Sequence, residues 1–172
     1  MESLNAAAAS DLDVLTTSQL MSLADALRRR SWRLATAESC TGGLIAAACT
    51  ALPGSSDWFD RGFVSYSNVA KTEMLGVDAA LIAEQGAVSE AVARAMVRGT
   101  LRRSRAQLVL AVTGIAGPGG AVAGKPVGTV WLAWGTALSM QAERLQLDGD
   151  RAAVRSATVL AALIRACQEA LA

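Results

Sequence analysis

The chain has 172 residues, 52% hydrophobic and 4% aromatic, which sets one ordinary domain filled by small aliphatic side chains and argues against a second full domain. Lys plus Arg number 16 and Asp plus Glu 15, a net charge of +1, so no long-range field draws the chain to nucleic acid or an anionic membrane. The absence of histidine removes His-based zinc sites, Ser-His-Asp and Cys-His catalysis and imidazole switching, leaving lysine, tyrosine, carboxylates, cysteine or water for any proton transfer.

Residues 1–14 read as a flexible lead-in: MESLNAAAAS has no basic start and is not a signal peptide, and no uncharged run reaches membrane-spanning length. From Leu15 to Arg30, Leu20, Leu23, Ala24 and Leu27 recur at helical spacing, and the Arg28, Arg29, Arg30 run suits the helix C-terminus. Trp32 to Thr36 reads as a strand, then ESCTGG leads into a small-residue helix, Leu44 to Ala51, stopped by Pro53 and Gly54. Next come a strand at Gly62 to Ser65, helices at Ser67 to Leu75 and Ala79 to Glu84, and a longer helix from Ser89 to Arg103. Gln107 to Val112 is a continuous apolar strand ending in the glycine-rich GIAGPGG. Two alternating runs, Gly128 to Trp134 and Leu138 to Leu147, meet at a hairpin marked by Gly135 and Thr136. Asp150 caps a last helix with an apolar face of Val154, Ala157, Leu160, Ala161 and Ile164. The result is a mixed α/β domain over residues 15–172, with about five strands, helices on both faces and at least one antiparallel pairing.

Several segments carry residues capable of chemistry. In ESCTGG, Ser39, Thr41 and nearby amides sit at a strand-to-helix turn, where they serve equally as helix caps or as a nucleophile with an oxyanion site. Cys40 is the rival nucleophile, but without histidine it needs a lysine partner, and it competes for a place in the core. In YSNVAK, Ser67 and Lys71 share a helical face and Tyr66 leans over its start; a desolvated lysine accepts a serine proton, the base the missing histidines cannot supply. GGAVAGKP nearly spells a nucleotide-binding P-loop, but Pro126 stands where a hydroxyl residue is needed, which leaves Lys125 to meet a phosphate or solvent. Arg151, at a helix start, opposes the dipole and invites an anion; Arg155 lies one turn on. Glu38, Thr41, Asn68 and Thr113 supply donors and acceptors for a ribose and base. Trp58 with Phe59 either covers the site or packs an interface, and Trp131 and Trp134 suit core or interface packing. Cys40, Cys49 and Cys167, odd in number and far apart, fit reduced thiols of a cytoplasmic protein.

Together ESCTGGLIA, PGSSDWFDRGFVSYSNVAK, LGV, GAVSEAVARAM, AVTGIAGPGG, KPVGTVWLA and GDRAAVR resemble, in order from about Leu20 to Leu171, the C-terminal domain family of competence/damage-inducible protein CinA. The resemblance implies a three-layer α/β/α sandwich with a mixed, mostly parallel sheet, and a homo-oligomer, a dimer favoured. It implies hydrolysis of the carboxamide of nicotinamide mononucleotide to nicotinate mononucleotide and ammonia in pyridine nucleotide salvage, without metal or other cofactor. In that family pattern Ser39 matches the nucleophile, Lys71 the general base and Tyr66 a hydroxyl partner, Thr113 and Gly114 look like substrate-site residues, and Arg151 matches the family's GDR arginine; Glu38, Thr41, Gly42 and Asn68 are expected to join them at the substrate. The partner implied is a small nucleotide, not nucleic acid or membrane. Longer relatives carry an N-terminal molybdopterin-binding-like domain with pyrophosphatase activity, which is not expected here. The alternative is a nucleotide-binding or regulatory module that keeps the pocket without catalysis.

Overall fold

The computed structural model describes residues 2–172, with side chains from Asp13 onward; Met1 and the side chains of residues 2–12, much of the lead-in expected to be flexible, lie outside the described residues. Helix α1 spans Glu2–Arg30, so it begins well before the periodicity that marks it at Leu15. Strand β1 (Leu34–Glu38), helix α2 (Leu44–Ala51), a short 3-10 turn (Ser55–Asp57) and strand β2 (Phe59–Val64) follow. Then come α3 (Asn68–Leu75), α4 (Ala79–Gln85), α5 (Glu90–Arg103), β3 (Leu108–Gly114), β4 (Thr129–Gly135), β5 (Met140–Gln146) and α6 (Arg151–Leu171).

Among the described residues the strands form one five-stranded sheet in the order β2-β1-β3-β4-β5. β1 pairs in parallel with both β2 and β3, whereas β3–β4 and β4–β5 are antiparallel. Only β4 therefore runs against the rest, but parallel and antiparallel pairings are equal in number. A central place in the sheet explains the uninterrupted apolar run of β3, which is nearly all buried, and buries β1 throughout despite its Thr36 and Glu38, because helices cover both faces. On one face Leu34, Leu108, Leu110, Val112 and Leu132 pack under α1, α2 and α6. On the other, Ala35, Ala37, Val109, Ala111 and Ala133 meet α4 and α5. Small side chains on that second face let α5 lie close to the sheet.

Two sequence expectations change in the packing. The buried face of α6 is Val154, Thr158, Ala162, Leu163 and Ala166, not the stripe through Ala157, Leu160 and Ile164. Thr158 is hidden from the periodicity because it is polar, yet its hydroxyl donates to the Val154 carbonyl at 2.7 Å and so enters the core satisfied. Trp58 neither covers a site nor faces outward: it is fully buried in the α1–α2–α6 core and meets Phe59 edge to face. Trp134 is likewise buried, and all three cysteines are buried free thiols. Among the described residues no helix is long and apolar enough to cross a membrane.

Candidate active site

β1 lies between β2 and β3, so the chain leaves it toward one neighbour and later returns to the other. The carboxyl ends of β1, β2 and β3 thus surround the place where an open α/β sheet presents a crevice. Ser39 follows β1 directly, and its amide still donates to the Val112 carbonyl of β3 at 3.1 Å. Lys71 comes from α3, which Ser67 caps by accepting from the Ala70 amide. Its ammonium donates to Ser39 Oγ at 3.0 Å, to the Ser65 carbonyl at 3.0 Å and to the Tyr66 carbonyl at 3.2 Å. The residue is 1% exposed, the Ser39 side of the pair 8%. Among the described residues no carboxylate pairs with the ammonium, and burial holds its pKa below lysine's ordinary 10.5. A lysine so placed keeps its nitrogen within hydrogen-bonding reach of a serine hydroxyl.

Glu38 does something the sequence reading missed. Its buried carboxylate accepts from the amides of Gly43 (3.0 Å), Ile45 (3.0 Å) and Ala46 (2.8 Å) and from the Thr41 hydroxyl (2.7 Å). The last residue of β1 therefore caps α2, where a residue just before the helix ordinarily does so. Glu38 and the Thr41 side chain, expected at the substrate, are spent inside the turn, and the start of α2 is not open to a phosphate. This carboxylate instead fixes the Ser39 to Gly43 turn. Gly42 is exposed in that turn at φ +63, a conformation suited to glycine.

Cys40 points into the α1–α2 core at 6% exposure, and burial pushes its thiol up to about 11. That position makes it a core side chain whose thiol stays protonated near neutral pH.

The Tyr66 carbonyl, rather than its hydroxyl, touches the Ser39–Lys71 pair. The hydroxyl accepts from Arg151 Nη2 at 3.2 Å, and Arg151 Nη1 donates to the Gly117 carbonyl at 3.0 Å. Arg151 thus ties α3's approach to the glycine-rich loop after β3. Beside it a hollow of about 670 Å³ opens, lined by Arg151, Arg155, Pro118 and Val127. Arg155 was noted in the sequence only by its place; here its Nη2 donates to the Thr41 carbonyl at 2.9 Å, so α6 also pins the turn after Ser39.

Thr113 is 1% exposed and its hydroxyl donates to the Ala87 carbonyl at 2.9 Å, so it secures the segment before α5 and is not offered to a ligand. Gly114 closes β3 where a Cβ would lie 2.7 Å from Val130 Cγ2, a close approach only glycine permits. Asn68, exposed at the start of α3, lines a separate hollow with Val69, Thr72 and Ile82. Lys125 also lies elsewhere, over Gln85. The structure gathers Ser39, Lys71, Tyr66 and Arg151, and turns Glu38, Thr41 and Thr113 inward.

The model of the CinA C-terminal domain family matches residues 17–169. The chain is 55% identical over 141 residues to the nicotinamide-nucleotide amidohydrolase PncC of Pseudomonas putida, covering 82% of this chain and 88% of that one. It is 49% identical over 138 residues to a CinA-like protein of Syntrophobacter fumaroxidans, covering 80% of this chain but 32% of that longer one. Among solved structures, the competence damage-inducible protein A of Klebsiella pneumoniae superimposes with a TM-score of 0.87 at 40% identity, covering 90% of this chain and 96% of that one. The family match spans most of the chain, and the chain belongs to the CinA C-terminal domain family.

Proposed function

We propose that this protein is an amidohydrolase that converts nicotinamide mononucleotide to nicotinate mononucleotide and ammonia, with Ser39 as nucleophile and Lys71 as base. The observation that carries this reading is the buried 3.0 Å contact between Lys71 Nζ and Ser39 Oγ; the name of the Pseudomonas putida relative supplies the substrate. Neutral Lys71 accepts the Ser39 proton as Oγ attacks the carboxamide carbon, and amides of the turn after Ser39 meet the oxyanion. The C–N bond breaks, and the proton held by Lys71 leaves with ammonia. Water then attacks the acyl carbon as Lys71 takes one of its protons, the bond between that carbon and Ser39 Oγ breaks as Lys71 returns the proton to Oγ, and the released acid loses its proton to solvent. The Ser65 and Tyr66 carbonyls aim the lysine through both steps. Arg151, held by the Tyr66 hydroxyl, meets the substrate phosphate at the α6 hollow. Such an enzyme serves pyridine nucleotide salvage in the cytoplasm, as a homo-oligomer for which a dimer is favoured.

Ammonia release from nicotinamide mononucleotide, nicotinamide riboside and free nicotinamide, without added metal or ATP, tests the reading. The mononucleotide is expected to be turned over far faster than the other two. Equal rates on all three contradict phosphate recognition, and tight nucleotide binding without turnover on any of them replaces the enzyme with a binding module.

A further inference from the structure

On the α5 face of the sheet, a second cleft of about 580 Å³ is lined by Gln85, Glu90, Arg94, Lys125, Trp131 and Arg144. Three cations face one carboxylate there, in a chain whose whole net charge is only +1. Glu90 is taken by Arg94, Nε to Oε1 at 2.8 Å, and Arg94 Nη1 donates to the Met140 carbonyl. Lys125 and Arg144 are held otherwise. Lys125 Nζ donates to the Gln85 carbonyl at 3.1 Å and Arg144 Nη2 to the Gly124 carbonyl at 2.8 Å, and among the described residues no carboxylate pairs with either. A neutral carbonyl fixes a cation in place and leaves its charge uncompensated, so two positive side chains share a concave space with donors to spare.

The backbone builds this arrangement in advance. Val122 and Lys125 exchange amide-to-carbonyl bonds at 3.1 and 2.9 Å, closing a tight turn with Gly124 at φ +76. That turn presents the Lys125 side chain and the Gly124 carbonyl together. Arg144 stands opposite Trp131 in the β4–β5 register, so the indole and the guanidinium are neighbours by strand pairing.

We propose that this cleft binds a nucleotide, with its phosphate between Lys125 and Arg144 and its base against Trp131. Arg144 supplies a planar fork that suits phosphate oxygens, Lys125 a point charge, and the partly buried indole a flat apolar wall. The site is separate from Ser39. β3 stands between β1 and β4, and its Thr113, opposite Trp131, holds the Ala87 carbonyl, so the segment before α5 lies over the strand that divides the two. A ligand here lies among residues that include neither Ser39 nor Lys71. It would compete for Lys125 with the Gln85 carbonyl, two residues from that Ala87 contact.

Calorimetric titration of the full chain with adenosine monophosphate and, separately, with inorganic phosphate tests the assignment, with circular dichroism confirming each variant's fold. Lys125→Ala and Arg144→Ala are each expected to weaken adenosine monophosphate binding about tenfold or more, while Arg151→Ala, at the other anion hollow, leaves it unchanged. Glu90→Gln removes the one carboxylate and is expected to tighten binding, a gain that misfolding does not imitate. Inorganic phosphate is expected to bind more weakly than the nucleotide, with Trp131→Ala removing the difference. Three results overturn the proposal: no saturable binding of either probe, loss of binding in Arg151→Ala with retention in the Lys125→Ala, Arg144→Ala double variant, or equal affinity for nucleotide and phosphate, which leaves a phosphate site only.

Discussion

Lys71 is a side chain ordinarily found in solvent that the fold buries beside a hydroxyl. It is almost fully buried, yet its partners are a hydroxyl and two carbonyls, none of them a counter-charge. Burial therefore favours the neutral amine and lowers the pKa. Turnover is expected to fall as pH is lowered through that value, because protonated Lys71 cannot accept the Ser39 proton. The same shift acts on stability with a definite sign. Between the lowered folded value and lysine's ordinary 10.5 the unfolded chain binds more protons than the folded one, so stability rises with pH across that window. Lys71→Met should abolish ammonia release, flatten this rise and gain about 1 kcal/mol at neutral pH, read from pH-dependent denaturant melts. Glu38 has the opposite character: its carboxylate is fully engaged, and Glu38→Gln replaces one acceptor oxygen by a donor facing backbone amides. A loss of about 2 kcal/mol or more is expected, measured by urea unfolding. The residue types at the site were legible from ESCTGG and YSNVAK. The inward turn of Glu38, Thr41 and Thr113 was not, because a polar residue beside a site reads the same whether it faces the ligand or the backbone.

At the scale of elements, most boundaries follow from punctuation the chain carries openly: Ser67, Ser89 and Asp150 each accept an amide in the first turn of the helix they precede. The face of α6 was misread, since the pattern counts Leu160 and Ile164 as core and passes over Thr158, whose internal hydrogen bond makes it buriable. Close helix contacts were equally hidden. Gly99 of α5 lies against the end of α3, and a Cβ there would collide with the Leu75 carbonyl oxygen. Gly99→Ala must push α5 away from α3, the helix that carries Lys71. A loss of about 1–3 kcal/mol is expected, together with lower turnover as the lysine shifts from Ser39; thermal melts and ammonia release measure the two effects.

Across the whole molecule, the order β2-β1-β3 puts the ends of three strands around one crevice, and the antiparallel β4–β5 hairpin extends the sheet away from it. The sequence conveyed layers and strand count, because the buried central strand β3 is unbroken in hydrophobicity and the edge strand β5 largely alternates. Strand order is set by which crossover passes over which face, and no local pattern records it. That order is nevertheless what joins residues from β1, α3 and α6 into one site, and it makes Ser39 the hydroxyl at the crevice while Cys40, its neighbour, belongs to the core. The most direct test of this account is ammonia release from nicotinamide mononucleotide by Ser39→Ala and Cys40→Ala measured side by side, each with its fold confirmed. Ser39→Ala is predicted to lose about a thousandfold or more in kcat, and Cys40→Ala to stay within about threefold of the parent, as expected for a core residue outside the chemistry. Near-parental turnover by Ser39→Ala, or a collapse of turnover in folded Cys40→Ala, would contradict it.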